Sequence, residues 1–585
     1  MTMFVRTDFP AGQGHPWLFE HPDDIVVTYK PHEISECLDK LIAASKSGKW
    51  VAGYLAYDAA PGLDANMVVH RSASPVPVPL LLFGVFSHGP SVIDTALAPR
   101  IYRLGEWVPD EDNTTYTGKI DQIREAIRAG LTYQTNYTFR MRAAFSGDPL
   151  AYYQALCDAQ QASYSMYIET DSLAILSASP ELFFALNQNH VLTRPMKGTA
   201  PRGRYLEEDN RLQHWLQNSE KNRAENIMIT DLLRNDIGRI AVTGSVRTTA
   251  LCEVERYPTV WQMTSTVEGD IPPRMDWADV MRALFPSGSI TGAPKLSTMK
   301  IIAGLESSPR GVYCGSLGYA DPKGSAVFNV AIRTVVLDKR TGRAEFGTGG
   351  GITWDSRSQE EYQESMTKTQ FLTSQHPAFA LLETLRLENG VYWLLSYHMS
   401  RLLDSSAYYG FPAEAPDIMA CLDTVAASHP TGCWKVRITV SPGGAIGTDA
   451  TLISNVPAQP QAVAWAASPI NRSSPLMFHK TTAREVYDHH HPLPSDVFDH
   501  LLWNEEDEVT EFTRGNLVIW QDGHFWTPAR NSGLLAGTLR AALLSHGVIQ
   551  EKTITRHELR GVRRAWFINS LHGWVPLALP VLEKE

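Results

Sequence analysis

In DNTTYTGKIDQIREAIRAG, residues 112–130, Ile120, Ile123 and Ile127 recur at helical spacing ahead of Gly130, which suits a helix end. The next stretch, LTYQTNYTFRMRAAF, alternates in type and predicts a strand. The same exchange recurs downstream. SLAILSASPELFFALNQNHVLTR reads as strands joined by turns, and SEKNRAENIMITDLLRNDIGRI as a helix of roughly five turns. This mixture predicts an α+β domain with sizeable antiparallel sheets. Around TSQHPAF, residues 373–379, a helical pattern ends in a polar stretch with Pro377, and a new pattern opens at LLETLRLENGVYWLLSYHMSRLL. The ENG at 388–390, between two alternating apolar runs, signals a hairpin. A first domain over 1–374 and a second over 379–585, opening with a β-hairpin, are therefore expected.

Composition narrows the classes. A chain of 585 residues with 43% apolar content exceeds one ordinary core. The net charge of −11 argues against a sequence-independent hold on nucleic acid, which needs a basic face. Six cysteines, none in a CxxC spacing, point to a reducing compartment. No apolar run of signal-peptide or membrane-spanning length occurs, so a soluble, cytoplasmic protein is expected. The triple His at 489–491 lacks further ligands at fixed spacing and is assigned no role.

Candidate chemistry begins with carboxylates. Glu361 and Glu364 lie three apart on a predicted helix, so both can point from one face toward a hard cation. A solvated face, with Glu364 and Lys368 at the i,i+4 distance, is the alternative. Glu225 has the same ambiguity, with Lys221 one turn before it.

Eight segments shift that balance when taken together: SASPELFF, RPMKGTAPRG, RAENIMITDLLRNDIGR, FPSGSITGAPK, RGVYCGSLGY, NVAIRT, GTGGGITWDS and EEYQES, in that order. Over roughly residues 110–370 they closely resemble the chorismate-utilising enzymes: anthranilate synthase, aminodeoxychorismate synthase component I, isochorismate synthase and salicylate synthase. The implied fold is a β-sandwich/α domain like that of anthranilate synthase component I. The resemblance implies Mg²⁺ held by Glu225, Glu361 and Glu364 and bridged to the ring carboxylate of chorismate. It implies that Arg333, in an apolar strand, grips the enolpyruvyl carboxylate. Glu181 of SPE becomes the acid for the departing C4 hydroxyl, its pKa raised by burial near other carboxylates. Gln134, Gly288, Ser289, Lys295 and Thr334 are implied as substrate-pocket lining. GTGGGI does not follow the P-loop pattern and reads as close backbone approach to a ligand.

Two positions separate the members of this family. Water-using members carry a general-base lysine where this chain has Gln134. Anthranilate synthases carry alanine where this chain has Lys197, in a PMKGT like that of aminodeoxychorismate synthases. By resemblance, Lys197 adds at C2 of chorismate while the C4 hydroxyl departs, and ammonia then attacks C4. Such an amine must be neutral, and Arg194 and Arg202 would help lower its pKa. Cys314 lacks the context of a glutaminase nucleophile, so a separate glutamine amidotransferase subunit is implied as the ammonia source. SGKWVAGYLAYDAA, near residue 50, resembles the N-terminal part of component I. No tryptophan site is carried over.

In the second half, LSYHMSRLLDSSAYYGF, LMFHKTTAREVYD, EVTEFTRGNLVIW, GLLAGTLRAALL and WFINSLHGWVPLAL resemble fold-type IV pyridoxal-phosphate enzymes. That group holds branched-chain and D-amino-acid aminotransferases and aminodeoxychorismate lyase. The resemblance implies Lys480 as the lysine that holds pyridoxal 5'-phosphate and Glu511 as the partner of its pyridinium nitrogen. It also implies Arg401, Ser570 and the helix-opening N–H groups of Gly537 and Thr538 as phosphate contacts. The usual opening of the fold is abbreviated to the seam.

The expectation is a bifunctional enzyme. It would aminate chorismate to 4-amino-4-deoxychorismate, then eliminate pyruvate to give 4-aminobenzoate, a folate precursor. An anthranilate-type synthase fused to an aminotransferase and a non-catalytic scaffold are the alternatives. No nucleic-acid or membrane partner is expected, and a homodimer through the second domain is left open.

Overall fold

The computed structural model describes all residues except 1, 10–14, 71–75, 93–100, 374–378, 454–458, 491–492, 495 and 579–585. Most of the expected seam and His491 lie outside the described residues. The chain forms two compact units, one of Met1–Pro201 with Gln213–His376, the other of Arg202–Leu212 with Pro377–Glu585.

The first unit is built on an 11-stranded and a 10-stranded sheet. Alternation along the strands sorts its side chains into layers. In Trp50–Leu55, Val51 and Leu55 join the core formed with the helices Ile34–Lys46 and Trp277–Leu284, while Ala52 and Tyr54 join a core shared with the other sheet. In Leu173–Ser179 of the other sheet, Leu173 and Ile175 enter that shared core. Ala174, Leu176 and Ala178 face a third core containing Tyr116, Ile120 and Ile123 of the helix Asn113–Arg128. Two sheets thus face one another, with helices on their outer faces, as in aligned sandwiches.

The periodic elements form where the pattern places them. Asp112 caps Asn113–Arg128 by accepting from the Thr115 N–H at 2.8 Å, and Gly130 follows at φ 72°. The strand after it, Gln134–Gly147, is buried along most of its length. Ser219 caps the 19-residue helix Glu220–Gly238.

The second unit opens with the hairpin Leu381–Glu388 and Val391–Tyr392, turned by Asn389 and Gly390 at φ 48° and 79°. Positive φ at both turn residues is the two-residue geometry that Asn-Gly favours. These strands join Cys433–Val440 and Ile446–Leu452 in a four-stranded sheet. A second sheet of eight strands follows the order Val509–Phe512, Asp499–Trp503, Gln461–Trp465, Gly573–Ala578, Ala565–Asn569, Asn516–Gln521, His524–Pro528, Gln550–Lys552. The pairing of Glu511 with Asn516 closes the first six into a barrel around Val463, Leu501, Phe512, Leu517, Phe567 and Val575. Among the described residues no helix is long and apolar enough to cross a membrane.

Candidate active sites

A cavity of about 550 Å³ in the first unit is lined by Glu181, Lys197, Glu225, Ser289, Arg333, Glu361, Glu364 and residues 347–351. Lys197 lies in the strand Met196–Pro201, which slips register against Val260–Asp270 between Met196 and Thr199. Such a slip re-aims a side chain, and Gly198 at φ 96° permits it. Asn226, beside Glu225 on the long helix, donates to the Lys197 carbonyl at 3.0 Å and fixes the bend. Burial lowers the Lys197 pKa, and Lys368 adds to the effect, while Glu225, Glu364 and Glu361 oppose it. Arg194 and Arg202 do not contribute as expected, because their guanidinium charges are met by Glu255 and Asp209.

Glu181 is 3% exposed and accepts a 2.6 Å bond from the Ser289 hydroxyl. Burial raises its carboxyl to about 7, against the opposing pull of Ser289, Lys197 and the Met196 N–H. The expected carboxylate neighbours play no part; loss of water alone suffices.

Gln134 is 1% exposed, and neither its amide oxygen nor its amide nitrogen has a hydrogen-bond partner among the described residues. Its nitrogen lies against Gly351: a Cβ there would meet it at 2.3 Å and the Lys197 amine at 2.1 Å. The glycines of GTGGG therefore make room mainly for protein groups, since a Cβ on Gly347 would likewise meet the Tyr313 ring at 2.3 Å.

Four further expectations change. Arg333 is outside any strand, at φ 50° just before Thr334–Asp338, and burial lowers its pKa to about 10 as it faces the cavity. Thr334 turns from the cavity to donate to Ser177 and the Ile332 carbonyl. Lys295 is held by Asp236 and the Leu284 carbonyl, each at 2.8 Å, and does not line the cavity. Gly288 packs against Leu232, where a Cβ would meet a methyl at 2.4 Å.

The two acids of the helix Ser358–Thr367 diverge. Glu361 accepts from Ser356 at 2.7 Å and is raised by burial. Glu364 pairs with Lys368 at 2.8 Å and is held low by it. Among the described residues no group of three or more His, Cys, Asp or Glu is placed to hold a metal ion, so Glu225, Glu361 and Glu364 share a cavity without closing on one point. Their hard oxygens suit Mg²⁺ held jointly with substrate and water oxygens, and do not form a protein cage.

The second cavity, about 460 Å³, lies wholly in the second unit and is lined by Arg401, Lys480, Glu511, Gly537, Thr538 and Ser570. Burial, then Arg401, lowers the Lys480 amine to about 8. Burial raises Glu511 to about 8; Tyr487 at 2.9 Å and the Leu535 N–H at 3.1 Å donate to it. An amine with a lowered pKa and a buried acid that can hold a proton match the aldehyde and ring nitrogen of pyridoxal phosphate.

The cationic end is more committed than the sequence implies. Arg401 donates through Nε and Nη2 to both oxygens of Glu383, at 2.7 and 2.8 Å, and through Nη1 to the Ala536 carbonyl at 3.1 Å. Glu383 also meets His398 at 2.6 Å, and His398 reaches the Thr538 hydroxyl at 3.2 Å. The Gly537 N–H donates to Asn516 at 3.1 Å, while Ser570 donates to the Thr384 carbonyl at 3.4 Å. Glu383, His398, Tyr487 and Asn516 were not singled out in the sequence. Only His398, one helical turn before Arg401, carried a local signal.

Two family models match the chain. Residues 92–374 match the family model of chorismate binding enzymes, and residues 380–579 that of class IV amino-transferases. Aminodeoxychorismate synthase component 1 of Escherichia coli is 40% identical over 270 residues, covering 46% of this chain and 59% of that one. Anthranilate synthase component 1 of Aquifex aeolicus is 39% identical over 43% of this chain and 51% of its own. The chain thus spans less than two thirds of these relatives. In structure, anthranilate synthase component I from Streptococcus pneumoniae superposes with a TM-score of 0.51 at 26% identity, covering 64% of this chain and 90% of that one.

Proposed function

We propose that this chain, a chorismate binding enzyme domain joined to a class IV amino-transferase domain, makes 4-aminobenzoate from chorismate and ammonia in two steps. The observation that carries the reading is the half-buried Lys197, its amine's pKa lowered by desolvation, at a bulge in the cavity that also holds the protonatable Glu181. In the first step Lys197 attacks C2 of chorismate, both ring double bonds shift toward C4, and the C4–oxygen bond breaks. Glu181 gives its proton to the departing hydroxyl, which leaves as water. Ammonia then forms the C4–nitrogen bond and the lysine leaves C2 with its electron pair returned. Arg333 and Ser289 hold the substrate and the acid in place. Glu225, Glu361 and Glu364 would hold Mg²⁺, which supplies charge to bind the ring carboxylate.

The second step removes pyruvate from 4-amino-4-deoxychorismate. Pyridoxal phosphate, when bound, supplies an electron sink for the bond broken beside the amine. Lys480 would hold its aldehyde group and, once freed from it by the substrate's amine, would carry the proton taken from C4. Glu511 keeps a proton at the ring nitrogen. Arg401, oriented by Glu383, and Thr538, through His398, serve the phosphate end. A separate glutamine amidotransferase supplies ammonia, as the label component 1 on the relatives suggests. The reading places the chain in the cytoplasm.

Lys197→Ala tests the assignment. With chorismate, Mg²⁺ and ammonium, the variant should lose at least about a hundredfold in amination. An unchanged rate would remove the covalent role.

A further inference from the structure

We infer that Lys435 and Arg437 form an anion subsite that grips the carboxylates of the second cavity's substrate, so that this cavity selects an amine carrying two carboxylates. The inference deepens the lyase reading above and rests on it for the identity of that amine.

The strand Cys433–Val440 has two faces. Val436, Ile438 and Val440 enter the core with Leu381, Leu385 and Leu387. The alternate residues Lys435 and Arg437 point the other way and line the cavity of Lys480 and Glu511. Six Lys and Arg side chains line that cavity against one acid, Glu511. Most are already engaged. Arg401 is closed by Glu383, and Arg514 by Asp499 at 3.1 Å and the Phe498 carbonyl. Arg484 also makes no ion pair among the described residues, but it lies over the Tyr487 ring and donates to the Thr513 carbonyl at 2.8 Å, away from this wall, and Lys480 is the amine of the reaction.

Lys435 and Arg437 make no ion pair among the described residues. Arg386 and Thr451 flank Lys435 in the sheet, and Thr384 and Asp449 flank Arg437. Arg386 is paired with Glu388, and Asp449 stands opposite Arg437 without an ion pair. His572 also lines the cavity, and burial followed by Arg514 and Arg386 lowers its pKa, which favours its neutral form, so it adds no further cation.

Two unspent cations on one wall of a cavity match two carboxylates. The guanidinium can take one through two parallel bonds, and the ammonium serves the other as a point charge. A simple amino acid, whose one carboxylate adjoins its amine, would leave this wall unused.

The test uses the full chain loaded with pyridoxal phosphate, in the absence of ammonium. Chorismate is the probe, since it has both carboxylates but a hydroxyl in place of the amine. Its binding is read as a perturbation of the cofactor absorbance, which reports the second cavity alone. We expect Lys435→Gln and Arg437→Gln each to weaken the chorismate constant by about tenfold. Lys435→Arg should stay within about twofold, and cofactor absorbance should be unchanged in all three. Benzoate, with one carboxylate, should bind more weakly and lose less. A chorismate constant unmoved by either Gln variant, or no perturbation in the unmodified chain, would overturn the subsite. A chain that shows the expected titration yet exchanges amino groups between amino and keto acids, without releasing pyruvate, would overturn the lyase reading instead.

Discussion

Lys197 and Gln134 meet over a single backbone position: a Cβ placed on Gly351 would lie 2.1 Å from the amine of one and 2.3 Å from the amide nitrogen of the other. Both groups are the far ends of side chains, so Gly351→Ala should fold and displace them. We expect ammonia-dependent loss of chorismate to slow by about tenfold or more, because small misplacements are costly in positioned reactions. The melting temperature should change little. A variant with full activity would show that the glycine is not needed for the amine's position.

The Glu181 carboxyl must be protonated to act as an acid, and burial places its pKa at about 7. The proton-donating step of the first reaction should therefore slow as Glu181 loses its proton with rising pH. Glu181→Gln should cost at least about a hundredfold and abolish the alkaline limb. Rate profiles from pH 5 to 9 for both proteins decide this.

Burial alone would raise Glu383, but Arg401 and His398 hold it well below the ordinary 4.5. A carboxyl held below its unfolded value contributes stability that is full above about pH 4.5 and lost as pH falls further. Glu383→Gln leaves the half-buried Arg401 without its counter-charge, so it should destabilise the chain by about 2 kcal/mol at pH 7. Urea unfolding at pH 7 and pH 4 should show the gap narrowing in acid, and pyridoxal phosphate should bind the variant more weakly.

Asp112 caps the helix Asn113–Arg128 at its Thr115 N–H. Asp112→Ala should cost about 1 kcal/mol in urea unfolding and leave the second cavity's chemistry unaltered. No loss would mean that water satisfies that helix end equally well.

Local signals carried much of the fold into the sequence. The spacing of Ile120, Ile123 and Ile127, the Asn389–Gly390 turn and the alternation around Gln134 each depend on neighbours a few residues away. Motifs agreeing in order pointed to Lys197 with Glu181 and to Lys480 with Glu511, and each pair lines one cavity. What stayed hidden was the closure of charges over long separations. Nothing near Arg401 on its helix announces that Glu383, 18 residues earlier on the strand Leu381–Glu388, accepts from both its Nε and its Nη2. Lys295 looked like pocket lining until Asp236 was seen to hold it, and Arg194 looked free until Glu255 met it. Periodicity says which face a residue occupies, and it does not say which distant partner completes that face.

The most direct measurement is the identity of the products. The purified chain, given chorismate, Mg²⁺, pyridoxal phosphate and ammonium salt without other proteins, should yield 4-aminobenzoate and pyruvate in equal amounts. Anthranilate in place of 4-aminobenzoate would contradict the assignment of Lys197, and lasting accumulation of 4-amino-4-deoxychorismate would contradict that of Lys480.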